Sequence, residues 1–408
     1  MGRITRVFGQ HDEKTLIQLE DVATRAEAAA LMADGHLGYV MPIGGVAAYN
    51  DKVSVVGVGF DIACGNAAIR TNLRAEQFSR EDWEHLADEI AATVSFGVGR
   101  SNKADDAPDD HPLFTSDAWS LLPKDANAKQ LLAKARAQLG TVGSGNHYVD
   151  VFTDEQGDVW VGVHFGSRGL GHTIASGFLS VSQGKKWGER VPERETLLDL
   201  KAPLGDDYWQ LMNLAGEYAY AGREWVARKV VEILGGTERE LVHNHHNFAW
   251  REQQLIDGAP REVVVVRKGA TPAFPGQKGF IGGSMGDDAV IVQGAASNDD
   301  EQVRAMYSTV HGAGRVMSRT QAAGKTKGWG AKKRIVSPGL ISPEMLKSWV
   351  IDRKRVILRG GGLDEAPQAY RRLPDVLAAQ GTTIEVLHTL TPIIVVMAGA
   401  DEYDPYKD

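Results

Sequence analysis

The chain has one cysteine, Cys64, in 408 residues. A disulfide within the chain is therefore impossible, which fits a reducing compartment. Long apolar runs are also missing, since none approaches the ~18 residues of a membrane span. The opening Met1-Gly2-Arg3-Ile4-Thr5-Arg6 lacks the apolar core of a signal peptide. Gly2 is not followed by the Ser or Thr of a myristoylation pattern. A cytoplasmic protein without membrane contact is the expectation. A net charge of −8 argues against non-specific coating of nucleic acid. No Walker-type phosphate loop, strand-linked Gly-x-Gly-x-x-Gly or Gly-x-Ser-x-Gly elbow is found. No repeat period or Ser/Gly/Pro-rich linker divides the chain, so one domain over residues 1–408 is expected.

What is present is a series of histidines set among glycines. The central one is His311-Gly312-Ala313-Gly314-Arg315. Glycines let a backbone approach a ligand and expose successive N–H groups. A helix is expected to begin here, adding its positive dipole end, with Arg315 gripping phosphate oxygens. Downstream, Arg315 to Arg334 carries seven basic residues and no acidic one, a local groove for a strand end.

Read in order, the alanine-rich stretch Asp21 to Ala33 is expected to be helical and Lys52 to Gly59 a strand. A strand over Asn66 to Thr71 follows, which puts Asp61 and Cys64 on the connection. An acid and a thiol three residues apart on a tight loop can converge as metal ligands. Ser79 N-caps a helix running to Ser95, and Ala126 to Leu139 is also helical. Strands Tyr148 to Phe152 and Val159 to His164 pair across Gly157, bringing His147 near His164. Asp206 to Leu234 is the longest helix, read as core packing. Val242-His243-Asn244-His245-His246 offers three more histidines. Val263 to Val266 is a strand entering a basic turn at Arg267 to Thr271. A small-residue turn, Phe280 to Gly286, precedes a strand over Ala289 to Val292, and an apolar strand, Ile393 to Met397, closes the chain.

Asp61, Cys64, His147, His164, His246 and His311 thus accumulate beside glycines. Thiolate, carboxylate and neutral imidazoles suit a transition metal, zinc first by softness and manganese second. The ligand number allows two metals bridged by the thiolate. Cationic, glycine-rich loops point to phosphate, and two metals facing phosphate support in-line displacement. A further imidazole serves as general base or nucleophile. From the residues alone, a phosphoryl or nucleotidyl transferase and a binuclear phosphatase both remain open.

The segments Asp34-Gly35-His36-Leu37-Gly38, Gly57-Val58-Gly59-Phe60-Asp61-Ile62-Ala63-Cys64-Gly65, Gly143-Ser144-Gly145-Asn146-His147 and His164-Phe165-Gly166-Ser167-Arg168-Gly169 resemble the RtcB family of RNA ligases. So do His245-His246-Asn247, Arg267-Lys268-Gly269-Ala270, Gly283-Ser284-Met285-Gly286 and His311-Gly312-Ala313-Gly314-Arg315, in the family's order. The resemblance implies one α+β domain of stacked, mainly antiparallel sheets flanked by helices around a deep metal pocket. It implies GTP- and Mn-dependent joining of RNA 3′-phosphate or 2′,3′-cyclic phosphate ends to 5′-hydroxyl ends, in RNA repair or tRNA splicing. By matching motif, His311 is the nucleophile that carries GMP and Asp34 an acid–base group. Cys64 bridges two Mn ions, with Asp61 and His147 on one and His164 and His246 on the other. Asn146, Arg168 and Arg315 hold phosphates. Tyr148, Asp150, Ser284, Gly312, Ala313, Gly314 and Tyr370 complete the nucleotide site. Archease assists some members of the family.

The departures concern the base. Asp150 replaces a family glutamate, Ala289 stands for a serine, and Ala398 stands for a guanine-contacting lysine. Altered nucleotide specificity, for instance in a transferase capping 3′-phosphate ends, is the first alternative. A metal phosphatase or cyclic phosphodiesterase, and an RNA-end binder without catalysis, are the others.

Overall fold

A computed structural model describes residues 3–327 and 334–400. Lys332 and Lys333 of the basic tract, and the acidic tail, lie outside the described residues. Two sheets organise the α+β fold. The larger is eight-stranded, in the order Lys278–Ile281, Ala289–Gly294, Ile384–Gly399, Tyr148–Thr153, Asp158–Phe165, Gly65–Arg74, Glu238–His245, with Ile357–Gly361 also beside Ile384–Gly399. All its pairings are antiparallel except that of Ile357–Gly361. It curls until its end strands meet. Asn244 Oδ1 accepts from the Phe280 amide at 3.1 Å, and Asn66 Nδ2 donates to the Phe280 carbonyl at 2.7 Å.

Side chains alternate across this sheet, as the strand period of two requires. Ala68, Phe152, Trp160, Phe280, Ile291 and Leu390 fill the inside of the curl. Ile69, Val149, Val161, Val163 and Val396 face outward, against Trp83 and Ile90 of the helix Arg80–Thr93 and Val226 and Val230 of the helix Pro203–Ile233.

The second sheet is five-stranded, in the order Arg3–Val7, Ala28–His36, Ile43–Tyr49, Ala259–Lys268, Asn247–Ile256. One face, with Leu31, Ala47, Val264 and Val266, packs on helical residues such as Leu211 and Tyr218. The other, with Ala30, Val46 and Val265, packs on Ile281, Val290 and Val292 of the large sheet. The sheets are therefore stacked, with helices outside.

That double coverage explains a misreading. Ala28–His36 is a strand, not part of a helix; the helix is Glu13–Ala23. A strand buried on both faces shows no alternation, and close sheet packing selects small side chains that mimic a helical composition. Lys52 to Gly59 is also not one strand. Lys52–Ser54 is followed by a single helical turn, Val55–Val58, capped by Ser54 Oγ accepting from the Gly57 amide at 2.8 Å. Short apolar runs fit either state. Arg267 and Lys268 belong to a strand and are buried, so they form no basic turn. The helix Pro203–Ile233 and the pair Tyr148–Thr153 with Asp158–Phe165 match expectation.

Candidate active site

Strand ends and loops from both sheets border one cavity of about 1230 Å³. The connection from Val58 to Gly65 brings Asp61 and Cys64 to it. The Asp61 carbonyl accepts from the Cys64 amide at 3.1 Å, and the Cys64 carbonyl accepts from the His246 amide at 2.9 Å. Tyr148 pairs with His164 across the antiparallel strands, so the rings of His147 and His164 come within 5.5 Å. His164 stacks on His246 at 5.2 Å, and His246 meets His311 at 4.9 Å. Four imidazoles thus follow one another along the floor.

Two groups in this row share Cys64. In Asp61–Cys64–His147 and in Cys64–His164–His246, the ligand atoms lie within 4.8 Å of one another. Cys64 Sγ is 3.8 Å from His147 Nε2 and 3.7 Å from His164 Nε2, while Asp61 Oδ2 is 3.1 Å from His147 Nε2. The far nitrogens are occupied. His147 Nδ1 lies 3.0 Å from the Val142 carbonyl, and His164 Nδ1 lies 2.7 Å from Asn66 Oδ1. Both bonds fix the ring so that Nε2 faces inward, as ligand imidazoles require.

The electrostatics fit divalent cations. Burial holds His164 and His246 well below the usual histidine range, so both are neutral. Burial also pushes the Cys64 thiol up, and Asp61 adds to that. A bound cation reverses this logic and favours thiolate. For Asp61, burial works to raise the pKa, but the His147 bond and charge and the Arg168 guanidinium outweigh it. The buried Nδ1 of His246 has no hydrogen-bond partner. A soft bridging donor, one carboxylate, neutral imidazoles and an orphaned ring nitrogen together suit two transition-metal ions.

His311 stands beside these groups without a helix behind it. The next helix, Arg319–Ala323, starts later and is capped by Ser318. Its place is set instead by Asp34, fully buried and 277 residues away in sequence. Asp34 Oδ2 accepts from His311 Nδ1 at 2.6 Å, from the His311 amide at 2.9 Å and from the Gly312 amide at 3.2 Å. The carboxylate therefore holds the Nδ1–H tautomer and leaves the Nε2 lone pair available. Gly314 closes the loop at φ +72°, where a Cβ would come 2.3 Å from the Asp34 carbonyl oxygen. Only glycine satisfies both demands.

Asp61, Cys64, His147, His164, His246, Asn146, Tyr148, Asp150, Arg168, Ser284, Tyr370 and the run His311 to Arg315 all border this cavity, with Asp34 behind His311. Arg315 borders the cavity and is also held from within the protein. It donates to Tyr370 Oη at 2.8 Å and to the Asp364 carbonyl at 2.7 Å, and pairs with Glu365 at 3.2 Å. Ala289 packs in the core with Phe280 and Leu390, and neither it nor Ala398 borders the cavity. Of the clustered histidines only His246 reaches the centre. His243 and His245 instead accept from Arg223 at 2.9 and 2.8 Å.

Sequence reasoning missed Arg223 and Asn66. Arg223 is fully buried on the long helix and donates to the carbonyls of Ala63 and Phe165 at 2.8 and 2.6 Å. Those are the residues next to Cys64 and His164. A signal existed, because Arg223 shares a helix stripe with Ala219, Val226 and Val230, and a lone cation on an apolar stripe needs a reason.

Comparison with known proteins agrees with this geometry. The family model described as tRNA-splicing ligase RtcB matches residues 16–398. The chain belongs to the RtcB family. It is 32% identical to the tRNA-splicing ligase RtcB of Archaeoglobus fulgidus, over 92% of this chain and 89% of that one. It is 31% identical to the RNA-splicing ligase RtcB of Escherichia coli K12, over 90% and 89% of the two chains. The RtcB-type ligase of Thermococcus kodakarensis is 31% identical over 90% of this chain and 86% of its own. Among the described residues, no helix is long and apolar enough to cross a membrane.

Proposed function

We propose that this RtcB-family chain is an RNA ligase, working as one catalytic unit, that joins a 3′-phosphate or 2′,3′-cyclic phosphate end to a 5′-hydroxyl end. It acts through a nucleotidylated His311, with GTP as donor and two Mn ions as cofactors. Archease is a candidate assistant. The observation that carries this reading is the Asp34–His311 pair beside two ligand groups sharing Cys64. A phosphatase could use the same imidazole as general acid or base, so the family match and the ligase names of the relatives support the ligase reading over it.

Asp61, Cys64 and His147 would hold one ion, and Cys64, His164 and His246 the other. Bound there, the cations would supply positive charge to phosphate oxygens. His311 Nε2 attacks the α-phosphorus of GTP; an N–P bond forms and pyrophosphate departs. Asp34 keeps the proton on Nδ1 and stabilises the positive charge that the ring acquires. The 3′-phosphate then takes GMP from His311, restoring the free imidazole. Finally the 5′-hydroxyl attacks the same 3′-phosphorus, loses its proton, and releases GMP as the phosphodiester forms. A cyclic end is first opened by water to the 3′-phosphate.

Incubation with each of the four α-labelled nucleoside triphosphates and Mn tests the reading. A covalent adduct that persists in denaturant and is lost in His311→Ala supports it. A metal-loaded protein that forms no adduct with any nucleotide, yet releases phosphate from RNA ends, supports the phosphatase instead.

A further inference from the structure

The cavity extends past the groups described so far. It is also bordered by Leu37, Tyr39, Phe60, His172 and Lys268. Tyr39 is 61% exposed and Leu37 50%, both at the cavity rim. The Tyr39 ring meets Phe60 edge-on at 6.4 Å, and Phe60 lies 5.6 Å from the His172 imidazole at an interplanar angle of 36°. The Lys268 ammonium sits 5.7 Å from the centre of the Tyr39 ring and donates to the Val56 carbonyl at 3.0 Å.

The loop that displays Tyr39 is pinned. Gln18 Nε2 donates to the carbonyls of Gly38 and Tyr39 at 3.0 and 2.8 Å, and Gln18 Oε1 accepts from the Gly38 amide at 3.0 Å. The turn is tight enough that a Cβ on Gly38 would lie 2.2 Å from the Met41 carbonyl oxygen. A fixed backbone that presents an aromatic face toward an open cavity is pre-organised for a flat partner.

We propose that Tyr39, braced edge-on by Phe60 with His172 beyond it, is a stacking shelf for the base of the RNA nucleotide at one of the two ends being joined. The proposal rests on the ligase reading above. Single-stranded RNA is recognised by splaying its bases onto aromatic faces, and such stacking tolerates any base. Phe60 directly precedes Asp61 and both border the cavity, so a base on this shelf lies in the same cavity as the Asp61–Cys64–His147 group.

The test uses two short oligoribonucleotides, one ending in a 3′-phosphate and one in a 5′-hydroxyl, each with 2-aminopurine as the terminal base. Binding to the metal-loaded full chain should quench the fluorescence of one of them. Tyr39→Ala should abolish that quenching and weaken binding by about 5- to 150-fold, and Tyr39→Phe should preserve both. The salt dependence of binding and the yield of nucleotidyl adduct without RNA should stay unchanged in Tyr39→Ala. Equal RNA affinity and quenching in Tyr39→Ala and the parent protein overturn the shelf. Equal loss of nucleotidyl adduct and RNA binding also overturns it, because the site then serves the nucleotide. A parent protein that quenches the probe but never forms adduct overturns the ligase reading and leaves the shelf standing.

Discussion

Two walls of the cavity differ in how their polar groups are satisfied. On the wall carrying Cys64 and His311, the inward imidazole nitrogens are aimed by bonds behind the rings. Val142 holds His147, Asn66 holds His164, and Asp34 holds His311. On the other wall, Tyr148 and Asp150 share a strand face with their neighbours Met397 and Val395. There the Asp150 carboxyl is 7% exposed and its Oδ1 has no partner. Burial pushes its pKa well above the usual carboxylate range. The first wall aims three of its rings from behind, although His246 Nδ1 is left without a partner. On the second the Asp150 carboxyl is left for whatever binds, so the proposed function puts selectivity there and chemistry on the first.

Mutations on the first wall should therefore cost far more than those on the second. His311→Ala should abolish the nucleotidyl adduct and lower ligation on the order of 10⁴-fold or more, measured with labelled nucleotide and RNA. Asp34→Asn keeps the shape but not the charge. It should cost about 10²- to 10⁴-fold in adduct formation with little change in nucleotide affinity. If Asp34→Asn instead weakens nucleotide binding and spares the rate, Asp34 is not the group that sets His311.

Arg223→Met tests whether the first wall depends on its backing. It should weaken metal binding by about 10- to 100-fold, followed by the thiolate-to-cobalt absorption band on titration with Co²⁺, with partial rescue by Arg223→Lys. A variant that folds and binds metal with unchanged affinity would show the Ala63 and Phe165 carbonyls to be held by other means.

The smallest effects should come from Asp150. Asp150→Asn should change the ranking of nucleoside triphosphates in the adduct assay by roughly tenfold, one or two hydrogen bonds' worth, while leaving the rate with the preferred nucleotide nearly intact. The unligated protein also has a pH signature. The folded state keeps the Asp150 proton to higher pH than the unfolded chain does. Stability should fall as pH rises from the ordinary carboxylate range up to the raised value. Asp150→Asn should flatten that slope in melting curves taken across pH.

Much of the first wall was legible in the sequence, because its residues sit in short glycine-bounded segments. Asp61 and Cys64 share one loop, and His147 and His164 meet through a hairpin whose pairing the alternation revealed. The Asp34–His311 contact was not readable from local pattern, since no periodicity links residues so far apart. The partners of Arg315 were not legible either, because Tyr370, Asp364 and Glu365 lie far from it in sequence. The helix expected at His311 failed for a related reason. Asp34 supplies the amide acceptor that a helix start would otherwise have to find. In the fold, elements with a clear period were found correctly, and Ala28–His36 was lost because burial on both faces erased its period.

Asn66 has a double attachment with a mechanical consequence. One end of its amide holds His164, and the other holds Phe280 across the seam where the curled sheet meets itself. A cation that fastens His164 therefore also tightens a staple on that seam. Metal loading should slow hydrogen exchange of the strand amides around Phe280 and Asn244 more than those of the five-stranded sheet. An ion held at His164 would thus also help to keep the curled sheet shut.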